Sequence, residues 1–301
     1  MIFSVIVATY RRPEKLQWCL EALAGQDFPK EDYEIIVVED EKGGAGQAVV
    51  EVAKAQFKGV RYLNQDHCGP GAARNSGIAG AKGEVIVFTD DDCVVPEDWL
   101  KRIADGFKRF PKAAGVGGYM EAPAAVLKRN IFAQYESYVT RRVYGAGKKE
   151  ILGGFEVPTG GTNNIAYRKK VLEEIGGFDE SFPVAAGEDA DLKKRICDRG
   201  HQILYLPLKV EHRHDYSWRS FLKQSRDRGV GSTYFHRKHG GGLSKIQMVG
   251  ILLKSPLMLV NDLLPRKMSV AAAVLKFVVL WVDGITQIKL KGQSSKLKTA
   301  A

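Results

Sequence analysis

The stretch Gly83-Glu84-Val85-Ile86-Val87-Phe88-Thr89-Asp90-Asp91-Asp92 constrains this 301-residue chain more than any other. Val85 to Phe88 are apolar without alternation, which predicts a short strand buried on both faces. Gly83 and Pro96 punctuate its ends. Three carboxylates follow at the carboxyl end of that strand, where open α/β sheets place their ligands. Adjacent negative charges repel, so a fold tolerates them best when a cation shares the site. Hard oxygen donors suit Mg²⁺ or Mn²⁺, held by one or two carboxylates plus substrate phosphates. The competing reading is a solvated acidic turn that caps a helix starting near Pro96.

Around this strand the chain alternates regularly. Ile2 to Ala8 is β-branched and reads as a strand. Pro13 then suits the first turn of a helix to about Gly25, with Leu16, Leu20 and Leu23 at helical spacing. Glu34 to Val38 is the next strand, ending in Glu39-Asp40. A helix over about Gly46 to Phe57 and a strand near Val60 to Leu63 come next. The small-residue run from Gly69 to Ala81 predicts a helix packed closely on a sheet. The first hundred residues therefore read as a parallel α/β sheet with right-handed crossovers. The glycines of Gly69 to Gly77 lack the G-x-G-x-x-G spacing and follow the third strand, which argues against Rossmann-type dinucleotide binding.

The formal charge of +10 is unevenly placed. From Arg213 onward there are 16 Lys/Arg against four acids, a balance of +12, whereas residues 1–212 carry 29 bases and 31 acids. A basic segment seeks nucleic acid, anionic lipid or a phosphorylated ligand. Cys19, Cys68, Cys93 and Cys197 have no paired spacing, so they read as free thiols in a reducing compartment. Met1 leads directly into a strand pattern, which predicts no signal peptide and a cytoplasmic chain.

The motifs, taken in order, resemble family 2 glycosyltransferases. They are Ser4-Val-Ile-Val-Ala-Thr-Tyr, the acidic end Glu39-Asp40, Gly71-Ala-Ala-Arg74-Asn75-Ser-Gly and Phe88-Thr-Asp90-Asp91-Asp92. The pattern continues through Gly160-Gly161-Thr-Asn163-Asn-Ile-Ala-Tyr-Arg168, Gly176-Gly177-Phe178-Asp179 and Gly187-Glu188-Asp189. It ends with Arg195, Gly200, Leu206-Pro207 and Val210-Glu211-His212. Two departures stand out: Glu39 where the family more often has Asp, and Glu41-Lys42 in place of the Gly-Ser that usually follows Asp40. The resemblance implies an inverting enzyme of GT-A fold: an α/β, Rossmann-like, mostly parallel sheet flanked by helices. Residues 1–215 would form this domain, with a donor half to about 120 and an acceptor half from 121. Residues 216–301 would form a basic, apolar helical extension.

The same resemblance implies roles for individual residues. Asp90 and Asp92 would hold Mn²⁺ or Mg²⁺ with His212, for which His214 is a rival. Thr9, Tyr10, Arg11, Asp40, Arg74, Asp90 and Asp91 would contact a nucleotide-diphosphate sugar. Inversion needs a base on the acceptor side; Asp189, with Glu188 second, would supply it. The pair heads a helix whose polarity favours a charged carboxylate, and simple capping is the rival reading. Gly161 and Asn163 would line the acceptor, a glycan or lipid-linked molecule. Trp99 reads as core. Rival functions are a sugar-nucleotide-forming nucleotidyltransferase, for which Ala8-Thr9-Tyr10 offers no glycine-rich loop, and a non-catalytic carbohydrate- or nucleotide-binding protein.

In the C-terminal third, Ile246 to Leu264 is apolar nearly all round. Within Met268 to Leu290, Ser269, Lys276, Asp283 and Gln287 form one narrow polar stripe. No uninterrupted apolar run reaches about 18 residues, which disfavours a spanning helix. Basic flanks at Arg266-Lys267 and Lys289 to Lys298 predict peripheral contact with an anionic membrane, at its inner face. A homodimer through these helices is the alternative. Nucleic acid fits poorly, because apolar length is not what a phosphate-tracking surface requires.

Overall fold

The structure, a computed structural model, describes residues 2–143, 145–263 and 270–298. In chain order the elements are β1 (Phe3–Thr9), α1 (Pro13–Ala24), β2 (Tyr33–Glu39), α2 (Gly46–Gln56), β3 (Val60–Asn64) and α3 (Pro70–Gly80). Then come β4 (Val85–Asp90), β5 (Cys93–Val94), α4 (Trp99–Arg109), β6 (Gly115–Glu121), α5 (Ala124–Leu127) and α6 (Ile131–Tyr138). β7 (Ile151–Gly153), β8 (Ile165–Arg168), α7 (Lys169–Ile175), α8 (Glu188–Asp198) and β9 (Ile203–His212) come next, then α9 (Trp218–His239), α10 (Lys245–Leu263) and α11 (Val270–Lys298).

Two compact units partition the chain. The first, residues 1–123, 140–180 and 189–214, contains the sheet. Its strands lie in the order β3-β2-β1-β4-β8-β6-β9-β5, with β7 also paired to β9. β3, β2, β1 and β4 run parallel, as the β-α alternation requires. β8 enters antiparallel between β4 and β6, whereas β6 and β9 are parallel. The sheet is therefore mostly parallel with antiparallel insertions, an α/β arrangement with helices on both faces.

The continuous apolar runs arise because both faces are covered. Phe3, Val5 and Val7 of β1 share one core with Leu16, Leu20 and Leu23 of α1, Val50 of α2 and Ile103 of α4. Ile6 points the other way, joining Ile36, Phe88, Ala73 of α3 and Leu172 of α7. α3 lies close on the sheet because its face is small: a Cβ on Gly77 would fall 2.6 Å from Ile6 Cγ2. Trp99 is fully buried, as its sequence context predicts, and its indole N–H donates to Asn164 Oδ1 at 2.9 Å. Removing a core Trp typically costs about 3–5 kcal/mol, and the indole bond additionally ties Trp99 to the residue just before β8.

The second unit, residues 124–139, 181–188 and 215–301, is helical among its described residues. Phe132 and Tyr135 of α6, Phe221 of α9 and Ala272, Ala273 and Leu275 of α11 form its core. The polar stripe on α11 lies within the unit. Asp283 accepts from Gln287 at 2.7 Å, and a Cβ on Gly229 of α9 would stand 2.8 Å from its carboxylate. Burial raises the Asp283 pKa above the usual carboxylate range. Ser269 and Arg266-Lys267, part of the same sequence argument, lie outside the described residues. Val270–Lys291 is by length and composition apolar enough to cross a membrane, with a mean hydropathy of 1.6. That is a more permissive outcome than the uninterrupted-run criterion gives, since isolated Lys276 and Asp283 break a run without lowering the window average much.

Candidate active site

The strand order reverses at β1: β2 and β3 lie on one side and β4 on the other. Such a switch point opens a crevice at the carboxyl ends of the two central strands. Thr9 ends β1, and Asp90, opposite Ala8 in the ladder, ends β4. The buried Thr9 hydroxyl donates to Asp91 Oδ2 at 2.8 Å, tying the two strand ends together. Thr9 is not the cap of α1; that position belongs to Arg12, whose side chain makes no capping bond.

The three carboxylates face three environments. Asp90 is half-buried and takes the Arg74 guanidinium at 3.1 Å. Asp91 is buried on Thr9, with Arg12 at 3.2 Å, and burial pushes its pKa up to about 6. Asp92 is buried as well, yet Arg12 (3.5 Å), Lys15 (3.3 Å), His212 Nε2 (3.4 Å) and His214 Nδ1 (3.6 Å) converge on it. Burial alone would raise its pKa; the two imidazoles and Lys15 outweigh it and hold Asp92 well below the usual carboxylate range. Adjacent acids have thus been driven apart in basicity by their neighbours.

The histidines arrive by register. β5 pairs antiparallel with β9, placing His212 opposite Cys93, and Arg213 N–H donates to the Asp92 carbonyl at 2.7 Å. The two rings stack with centroids 5.1 Å apart. Ligand atoms of Asp92, His212 and His214 all lie within 4.8 Å of one another, and Asp90, Asp92 and Cys93 form a second such group. Burial holds the Cys93 thiol protonated, with its pKa far above the ordinary value, which leaves carboxylate oxygen and imidazole nitrogen as donors. That set fits a divalent cation such as Mn²⁺.

At the end of β2, Asp40 is buried and fully engaged. Its carboxylate accepts from Cys68 N–H (2.9 Å), Gly69 N–H (2.8 Å) and Gln65 Nε2 (2.8 Å), with His67 Nδ1 at 2.8 Å. It thereby fixes the loop between β3 and α3. His67 stacks on Tyr10 with ring centres 4.4 Å apart, and the Arg11 guanidinium lies over the Tyr10 ring, 5.0 Å from its centre. Arg11 adopts φ 55°, a conformation uncommon for a non-glycine residue; its guanidinium pairs with Glu41. The two departures from the family pattern thus have physical partners: Glu41 holds Arg11, and the longer Glu39 reaches Gly46 N–H (3.0 Å) at the start of α2 and Tyr62 Oη (2.6 Å).

α3 carries Arg74 and Asn75 side by side. Asn75 exchanges hydrogen bonds with the Phe178 backbone at 2.8 and 2.9 Å, and Arg74 lies 5.6 Å from the Phe178 ring centre. Arg195 of α8 donates to the Ile175 and Gly177 carbonyls, fastening the same turn. The Arg-Asn and Gly-Gly-Phe-Asp motifs therefore meet. Glu188 and Asp189 head α8 as expected; Glu188 is buried and Asp189 half-buried. Burial raises the Asp189 pKa, Asp90 adds to this and Arg74 opposes it, so Asp189 lies within electrostatic reach of the strand-end acids. Asn163 accepts at its carbonyl from Thr89 Oγ1 at 3.1 Å, beside Gly161 in the loop before β8.

Sequence reasoning missed Arg12 and Lys15, although their place in the first turn after β1 aims them at the same strand ends. It also missed Lys193, four residues after Asp189 and so on the same face of α8. Lys193 is buried, and its ammonium donates to the Val157 and Thr159 carbonyls, both at 2.6 Å. Burial lowers its pKa to about 8 from an ordinary 10.5. The unfolded chain therefore binds an extra proton between these values, and folding stability should rise with pH across that window. Below pH 8 the penalty is fully present. Relative to Lys193→Met, wild type should gain on the order of 3 kcal/mol between pH 8 and 10.5. Denaturant melts of both proteins across this range check it; parallel stability curves would refute it.

Comparison with known proteins agrees with this geometry. The profile of the family described as "Glycosyl transferase family 2" matches residues 4–176. The chain belongs to that family. Glycosyltransferase AglE of Haloferax volcanii is 27% identical over 209 residues, which is 67% of this chain and 63% of that protein. The chain thus spans less than two-thirds of the length of this curated relative. Among solved structures, a mannosyltransferase from Pyrobaculum calidifontis in complex with GDP-Man and Mn²⁺ has a TM-score of 0.68 at 15% identity, covering 95% of this chain and 86% of that one. S. aureus TarS 1–349 in complex with UDP-GlcNAc has a TM-score of 0.54 at 17% identity, covering 97% and 92%. At these identities the structural likeness establishes the fold.

Proposed function

We propose that this chain is a metal-dependent inverting glycosyltransferase that moves a sugar from a nucleotide diphosphate to a glycan or lipid-linked acceptor at a membrane. The observation that carries this reading is the joint placement of the strand-end acids, Arg74 and Asp189 in one unit of a family 2 chain. Thr9, Tyr10, Arg11, Asp40 and Arg74 hold the donor, with Asp90 and Asp91 at its ribose and phosphate end. Asp90, Asp92 and His212, joined by His214, hold Mn²⁺ or Mg²⁺. A cation there supplies Lewis-acid stabilisation for the charge that grows on the leaving diphosphate. Gly161 and Asn163 form the acceptor wall.

Asp189 takes the acceptor hydroxyl proton as that oxygen attacks the anomeric carbon. The bond from this carbon to the diphosphate oxygen breaks on the opposite face, so configuration inverts. Glu188 is less suited, being buried where Asp189 is only half-buried. The chain works on the cytoplasmic side of an anionic membrane, supported by its free thiols and the +12 balance after Arg213. Association between copies is the competing use of the C-terminal helices.

Thermal melts of the full chain with UDP-, GDP- and other nucleotide sugars, with Mn²⁺ or with chelator, test the donor reading. A true donor at about 100 times its Kd should stabilise by about 2.7 kcal/mol, and chelation should reverse the shift. Absence of any shift across the panel would sink the reading. Metal-dependent hydrolysis of the bound donor separates a transferase from a binding protein.

A further inference from the structure

We propose that the outer stripe of α10, formed by Ile246, Val249, Leu253 and Leu257, is the surface that enters an anionic bilayer, with the helix lying in the membrane plane. The inference rests on the membrane reading above and assigns it to one face. These four side chains are 86%, 44%, 74% and 73% exposed. Their spacing of three, four and four residues puts them on one side of the helix. The opposite side is committed to the protein: Met248, Leu252 and Ser255 are buried.

The local chemistry explains why the helix keeps this orientation. Pro256 has no N–H for the Leu252 carbonyl, and the Ser255 hydroxyl takes that carbonyl instead at 2.6 Å. Ser255 in turn accepts from the Trp281 indole N–H of α11 at 2.9 Å. Leu252 packs on Gly284 of α11, where an added Cβ would be 3.1 Å from it. α10 is thus pinned to α11 by a hydrogen-bonded relay and a close contact, and its apolar stripe is left facing outward. α11 offers less to a lipid surface: apart from Val270 at its start, its outward apolar residues Val274, Trp281 and Ile285 are 41%, 36% and 38% exposed, well below Ile246, Leu253 and Leu257 of α10.

Charge selects the partner. Between Asp227 and Asp262 the chain carries five Lys/Arg and no acid. Lys245 and Lys254 fall on the two borders of the stripe, both exposed. Long basic side chains flanking an apolar helix face reach headgroups while the aliphatic residues enter the acyl boundary. A second copy of the chain would gain nothing from this unbroken basic excess, since the same surface would meet itself and repel.

Flotation or co-sedimentation of the full chain with phosphatidylcholine vesicles, with and without phosphatidylserine, tests the assignment. Wild type should bind the anionic vesicles and be released only partly by high salt, since screening weakens the ionic share and not the apolar one. Ile246→Ser/Leu253→Ser/Leu257→Ser should bind at least about tenfold less, while a control at the comparably exposed Val52, Val52→Ser, should bind as wild type. Circular dichroism and donor hydrolysis of the triple variant should match wild type, because these side chains contribute little to the folded core. If wild type fails to bind, the membrane reading itself falls. If wild type and the triple variant bind equally, the membrane reading stands and the α10 assignment falls. A wild-type dimer that the triple variant converts to monomer, without vesicle binding, would give the stripe to a second copy and overturn the proposal.

Discussion

Asp92→Asn is expected to abolish Mn²⁺-dependent donor binding while the chain stays folded. Four nitrogen-bearing side chains converge on this one carboxylate, and two of them, His212 at the end of β9 and His214 two residues beyond it, lie more than a hundred residues away in the chain. Asn keeps the shape and removes the charge that organises them. Loss of a supporting group around a metal typically costs about 10–100-fold in affinity, so loss of the central ligand should cost at least about 100-fold. His212→Gln and His214→Gln separate the two imidazoles: the one that binds directly should approach the Asp92 effect, and the other should fall short of it. Titration calorimetry with Mn²⁺, alone and with nucleotide, reads all three. Circular dichroism guards against a trivial explanation, because Arg12 and Lys15 lose their counter-ion in the same variant. Wild-type Mn²⁺ affinity in Asp92→Asn would remove the acidic triplet from the metal site.

The strand ends were legible because local sequence specifies them. A run such as Val85 to Phe88 fits a strand covered on both faces, and the acids after it then stand at the carboxyl end of a central strand. Helix α8 was legible for the same reason, so Glu188-Asp189 could be put at its start. The division of labour within the triplet was not. Asp91 turns onto Thr9 and Asp92 turns toward β9 because of cross-strand register, which a single sequence does not display. His214 beside His212 depends on β5 pairing with β9 over two residues, too short a ladder to show as a pattern. Arg12 and Lys15 look like ordinary first-turn residues until β4 is placed next to β1. The insertion of β8 antiparallel between β4 and β6 is also a long-range choice. In the C-terminal helices, periodicity found a polar stripe on α11 but could not say what it faced. A wheel gives a face without its partner: here Asp283 meets α9, and α10 carries the more exposed apolar stripe.

Asp189→Asn is expected to leave donor affinity near wild type and to reduce turnover by roughly 10²–10⁴-fold, the usual range for loss of a general base. Three features make this residue the one to change. It is half-buried where Glu188 is buried, which leaves part of it open to an acceptor hydroxyl. Burial and the nearby Asp90 raise its pKa, which makes its ionised form a better proton acceptor. Its Oδ1 also accepts from Ala190 N–H at 2.7 Å, a bond that the Asn side-chain oxygen can keep, so the start of α8 should survive the substitution. Donor affinity from melting or calorimetry, beside turnover with a saturating acceptor, separates the two effects. A parallel fall in both would mean that Asp189 acts by positioning Arg74 and Asp90. Turnover close to wild type would exclude it as the base, and Glu188→Gln would then be the next variant to measure: a large loss there, with donor binding intact, would move the proton to the buried neighbour.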